Sequence, residues 1–199
     1  MTLQRKPVFA ALLALFVCSP QQAVGQSVAQ LTPPQEDKPS SEPELAPRGQ
    51  HMPRDITYSQ WRKFCFKAPG KEILCRTSTT GTWGTGQMAI RIDVIERQGS
   101  ARLQILLPVG LYLQSGVKLK VDAGAREAIV PYNWCFSNLC VAAAPAPREV
   151  IRALEKGRTL SVEVVDTNLL SVTAVIPVGQ FTTAYRGAPA ETIEQLIDE

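Results

Sequence analysis

The chain has 199 residues, 45% hydrophobic and 20% charged, with 21 basic against 18 acidic side chains. That length and composition suit one globular domain with appendages. Once Arg5 and Lys6 leave with the leader described next, 19 basic residues face 18 acidic ones, a balance that excludes the basic excess of a nucleic-acid-binding protein.

Residues 1–25 have the three regions of a secretory signal peptide in order. Arg5 and Lys6 precede an unbroken apolar run of ten from Val8 to Val17, and Ala23, Val24 and Gly25 supply small residues for cleavage. The run is too short to cross a bilayer as a permanent helix. Cys18 follows it directly, so membrane association is expected only if that cysteine is lipidated; Val17 is larger than the residue such a signal prefers. Residues 26–55 hold Pro33, Pro34, Pro39, Pro43, Pro47 and Pro53 among Gln, Ser, Glu and Lys, and cannot bury enough surface to offset their ordering entropy. They are expected to form a disordered or partly extended linker, reaching on the order of 30 Å as a flexible coil.

From Tyr58 the pattern changes to period two, and residues 56–186 form the expected β domain. Trp61, Lys63, Cys65 and Lys67 alternate with Arg62, Phe64 and Phe66, a strand whose Trp61, Phe64 and Phe66 are expected to fill the core. Ala68 to Lys71 is a turn, Glu72 to Thr80 a return strand, and Trp83 to Gly86 a loop. Gln87 to Glu96 and Ala101 to Leu107 make a hairpin across Arg97 to Ser100. Strands follow at Val117 to Val121, Arg126 to Tyr132 and Leu139 to Ala144. Pro147 and Gly157 bracket a helix whose Val150, Ile151 and Leu154 share a face. Thr159 to Asp166 and Ser171 to Val178 form the last hairpin, and in residues 187–199 Ile193, Leu196 and Ile197 mark an amphipathic helix or tail. About nine short strands with frequent turn signals and one or two helices predict an all-β, antiparallel sandwich or barrel-like fold.

The stretch LPVGLYLQSGVKLKVDAG from Leu107 to Gly124, the closely spaced Cys135 and Cys140, and YSQWRKFC from Tyr58 to Cys65 together resemble the invasion-associated locus B family of secreted bacterial proteins. One position departs: Leu139 stands where the family usually has Gly before its last cysteine. The resemblance implies an exported protein of the periplasm, outer membrane or cell surface, involved in host interaction or envelope integrity.

Cys65, Cys75, Cys135 and Cys140 remain after the leader, an even number in an exported chain, which reads as two disulfides. Three pairings are open; local pairing is expected, because one pair flanks a hairpin and the other a short loop. A four-cysteine zinc site would want two to four residues between paired ligands, and Cys65 and Cys75 have nine.

No cofactor, metal or catalytic residue is assigned. His51 is the sole histidine and lies in the linker, so neither a Ser-His-Asp nor a Cys-His arrangement can be assembled. Paired carboxylates drawn from Asp93, Glu96, Asp122, Glu127, Glu163 and Asp166 would be the route to the alternative function, an envelope glycan hydrolase. A purely structural envelope protein is the second alternative. The favoured expectation is non-enzymatic surface recognition of an envelope or host protein or glycan, with Trp83, Tyr112, Tyr132, Trp134 and Phe136 in or beside loops as the candidate surface.

Overall fold

A computed structural model describes residues 48–51, 55–122 and 127–194. The elements in chain order are β1 (Gly49–His51), β2 (Ile56–Tyr58), β3 (Arg62–Lys67), β4 (Leu74–Trp83), β5 (Met88–Arg97), β6 (Ser100–Pro108), β7 (Val117–Val121), β8 (Ala128–Val130), β9 (Tyr132–Cys135) and β10 (Leu139–Pro145). Helix α1 (Arg148–Lys156), β11 (Thr159–Val165), β12 (Leu170–Pro177), α2 (Phe181–Arg186) and β13 (Glu191–Glu194) complete the chain.

The strands form two sheets. One has the order β1-β12-β11-β7-β8; the other runs β13-β3-β4-β5-β6-β10-β9, with β2 paired to β4. The sheets stack as a sandwich rather than closing into a barrel. Period two decides what lies between them: Ile90, Ile92 and Val94 of β5 and Leu103, Ile105 and Leu107 of β6 are buried against Val117, Leu119, Leu160, Val162, Val164 and Ile176 of the other sheet. Each such side chain contributes roughly 1.5–3 kcal/mol by leaving water. The β5–β6 hairpin turns through Gln98 and Gly99, both with positive φ (53° and 72°), the two-residue geometry that matches the twist of paired strands.

Helix α1 forms where Pro147 and Gly157 bracket it, burying Ile151 and Leu154 on one face. Gly81 is required by close approach: a Cβ there would meet Ile56 Cγ2 at 2.6 Å and Tyr58 Cε1 at 2.7 Å, so β2 could not lie against β4.

Three expectations are corrected. The linker expected over 26–55 contains an ordered strand, since Gly49–His51 pairs in parallel with β12, His51 opposite Val172; residues 1–47, with the expected leader and Cys18, lie outside the described residues. Of the amphipathic helix or tail expected over 187–199, Glu191–Glu194 is a strand in parallel register with β3, where β-branched Thr192 and Ile193 suit an extended backbone; Leu196 and Ile197 lie outside the described residues. Phe64 and Phe66 do not fill the core. Cys65 is the buried residue of β3, bonded across to Cys75, so its neighbours on either side point outward, where the guanidiniums of Arg62 and Arg76 lie 5.0 and 5.4 Å from their ring centres.

Candidate recognition surface

Both disulfides are local, Cys65–Cys75 and Cys135–Cys140, and each joins directly opposed residues of an antiparallel pair with Cα atoms 4.0 Å apart. The second closes the β9–β10 hairpin, whose turn is also held by the Phe136 N–H donating to the Leu139 carbonyl at 2.7 Å. This hairpin presents two aromatics, Trp134 at the end of β9, 43% exposed, and Phe136 in the turn, 60% exposed. Arg102 of β6 lies 6.0 Å from the Trp134 ring centre.

Tyr132 belongs to the core instead. The register shifts between Val141 and Ala142, so that Trp134 is opposite Val141, on the Leu106 side of the sheet, while Tyr132 is opposite Ala142, on the Ile105 side that faces the core. Two residues that plain alternation would place together are therefore sent to opposite faces. The Tyr132 hydroxyl is buried without a hydrogen-bond partner among the described residues, and burial pushes its phenol pKa up.

Trp83 ends β4 and lines an apolar cleft of about 360 Å³ at the open end of the sandwich, with Ile56, Leu107, Leu111, Val164 and Val172. It is four strand positions from β9, or roughly 19 Å across the sheet. Tyr112 is half-buried in the turn before β7, its N–H donating to Val165 O and its carbonyl accepting from Ser115 Oγ, both at 2.8 Å. Of the five candidates, only Trp134 and Phe136 form one exposed pair.

The carboxylates considered for hydrolysis are scattered. Asp93, buried among its neighbours, and Glu163 lie on the outer sides of opposite sheets, which pack about 10 Å apart. Asp166 accepts from the backbone N–H groups of Asn168 and Leu170 in the β11–β12 turn. Asp122, at φ 51°, accepts from the N–H groups of Thr159 and Arg158, which hold its carboxyl below the usual range. Glu163 sits 3.4 Å from Lys118 Nζ. Burial pushes the Asp93 carboxyl up, against the pull of Arg91 and Arg76. Glu96 neighbours the buried Tyr185, and Glu127 is exposed beside a second apolar cleft of about 360 Å³ under α1, also lined by Glu149. Among the described residues no three His, Cys, Asp or Glu side chains are grouped to hold a metal.

One feature was not found from the sequence. The outer face of the eight-stranded sheet carries Arg62, Arg76, Arg91, Arg97 and Arg102, brought together from four consecutive strands, β3 to β6. Each lies in an alternating segment, so the signal was present, but only the strand order places them side by side.

A family model described as invasion associated locus B (IalB) protein matches residues 61–189. No curated protein matches the chain. The crystal structure of invasion associated protein b from Bartonella henselae is similar, with a TM-score of 0.58 and 18% identity over 65% of this chain and 90% of that one.

Proposed function

The chain belongs to the invasion associated locus B family, and from that premise we propose that it is an exported, non-enzymatic envelope protein acting by surface recognition at the periplasmic or outer surface. Two disulfides suit an oxidising compartment outside the cytoplasm. The observation that carries recognition is the exposed Trp134 and Phe136 on either side of Cys135, in a hairpin cross-linked by Cys135–Cys140. Aromatics with few rotatable bonds, on a backbone already fixed by a cross-link, lose little entropy when a partner covers them, which is what makes such residues binding anchors. The partner is an envelope or host-cell component, and the role is host interaction or envelope integrity.

The test uses the oxidised protein, fluorescently labelled, bound to washed outer-membrane vesicles and to host-cell membranes. A Trp134→Ala/Phe136→Ala protein is expected to bind at least roughly tenfold more weakly, a loss of about 1.4 kcal/mol. Its melting temperature should move little, because exposed side chains away from core and caps change stability by about 0.5 kcal/mol or less each. Undiminished binding by the double variant would remove the hairpin from the function.

A further inference from the structure

The strand register turns the outer face of the eight-stranded sheet into a grid. Arg62, Ser78, Asp93 and Gln104 form one row across β3 to β6; Phe64, Arg76, Ile95 and Arg102 form the next; Phe66, Leu74, Arg97 and Ser100 the one beyond; and Thr80, Arg91 and Leu106 lie on the other side of the first. Neighbours in a row stand about 4.8 Å apart and successive rows about 6.8 Å apart. Five arginines and no lysine occupy this grid, against Asp93 within it and Glu191 of β13 at its margin. Without residues 1–25 the chain has 19 basic against 18 acidic side chains, so the concentration of guanidinium here is local.

Asp93 is one carboxylate among five arginines and offsets only part of their charge. It is 1% exposed and holds Arg91 through an Nε–Oδ1 contact of 2.9 Å. Among the described residues Arg62, Arg76, Arg97 and Arg102 make no salt bridge. Arg76 is the informative one: its Nε is buried with no hydrogen-bond partner, and its charge is disfavoured by burial and then by nearby Arg91, with Asp93 offsetting only part of this. A buried, unpaired donor of a charged group is costly unless something supplies an acceptor. Phe64, Phe66 and Trp134 lie under the guanidiniums of Arg62, Arg76 and Arg102, positioning them for fork-shaped contacts.

We propose that this face binds a polysaccharide bearing phosphate or sulfate esters, with Arg62, Arg76, Arg97 and Arg102 gripping the esters. Planar guanidinium forks match tetrahedral oxyanions, and several on one flat sheet match a chain carrying anions at intervals. Ser78, Thr80 and Gln104 between them supply hydroxyl and amide groups for sugar hydroxyls. A lipid surface would be met by protruding apolar side chains, whereas Leu74, Ile95 and Leu106 here are half-buried between the arginines. The proposal takes from the preceding one only that the protein is exported, where such polysaccharides are met.

The probe is dextran sulfate, with neutral dextran and phosphatidylglycerol vesicles as comparisons, titrated against the oxidised protein at low and high salt. Wild type is expected to bind dextran sulfate and not dextran, more weakly as salt screens the contacts. Arg62→Gln/Arg97→Gln/Arg102→Gln changes only exposed arginines, so it should fold and lose at least roughly tenfold in affinity. Arg148→Gln/Arg152→Gln/Lys156→Gln on α1 removes the same charge elsewhere and should change affinity by less than about twofold. Arg76→Gln, checked by its melting curve, should weaken binding further. Equal losses for the sheet and helix variants, no preference over neutral dextran, or tighter binding to the vesicles than to dextran sulfate would each overturn the proposal. Phe136→Ala alone separates the two ideas: it leaves Trp134 under Arg102, so it should weaken binding to outer-membrane vesicles and host-cell membranes while keeping most dextran sulfate affinity. Failure of wild type on dextran sulfate leaves the hairpin's role standing.

Discussion

Phe181→Ala tests whether the short helix α2 is a structural keystone. Phe181 is 0% exposed, edge-on to Trp61 with ring centres 5.0 Å apart and stacked on Tyr185 at 5.0 Å. Six residues are too few for a helix that survives undocked, so these ring contacts hold α2 in place. The consequences run along the chain: Lys63 Nζ donates to the Tyr185 and Gly187 carbonyls at 2.8 and 3.4 Å, and β13 begins four residues later on the edge of β3. Removing a buried Phe side chain costs about 3–5 kcal/mol, which for a domain of this size lowers the melting temperature by about 6–20 °C. The assay is thermal denaturation of the oxidised protein followed by circular dichroism and tryptophan emission. Trp61 is the buried tryptophan, so its emission should shift to the red, and amides of β13 should lose exchange protection. Phe136→Ala, removing the same group from an exposed site, should cost under about 0.5 kcal/mol. A Phe181→Ala loss below about 1 kcal/mol, or one equal to that of Phe136→Ala, would refute the keystone role.

Removing Cys135–Cys140 as a double serine variant should cost about 2 kcal/mol, and removing Cys65–Cys75 about 3, since their closed loops are short; melting curves of the two variants measure both. Asp122→Asn should change the acid limb of stability. The folded carboxyl pKa lies below its unfolded value of about 3.9, so its contribution is present above that pH and is lost as pH falls through the lower folded value. Melting temperatures from pH 2 to 5 should therefore fall less steeply in the variant than in wild type.

The elements legible in the sequence are those whose causes are local. The β5–β6 hairpin follows from alternation on both sides of Gln98 and Gly99, α1 from the Pro147 and Gly157 that bracket its apolar face, and the disulfides from the short spacing of each pair. What could not be read depends on distant partners. β1 and β13 are short edge strands that exist by pairing in parallel with β12 and β3, more than a hundred residues away in each case. Helix α2 has no side-chain cap and no repeated apolar stripe; its cause is the packing of Phe181 against the distant Trp61. Alternation shows that β3 has two faces but not which one is inward, and the apolar Phe64 and Phe66 pointed the wrong way. The candidate surface divided for the same reason, because a single register shift in β9–β10 separates Tyr132 from Trp134.

The two cross-links bear on the recognition surface as well as on stability. Cys65–Cys75 ties β3 to β4 and Cys135–Cys140 ties β9 to β10, so the staples lie toward the two margins of the sheet whose outer face carries the arginines. The middle of that sheet is held by the core beneath β5 and β6. Its margins bury less and would open first, because local opening is cheapest where few apolar contacts are lost. Fixing the margins by covalent bonds therefore holds Arg62, Arg76 and Trp134 in register without an apolar layer over them. Mild reduction should then weaken binding before the core unfolds, whereas a surface indifferent to strand register would keep its affinity until the domain melts.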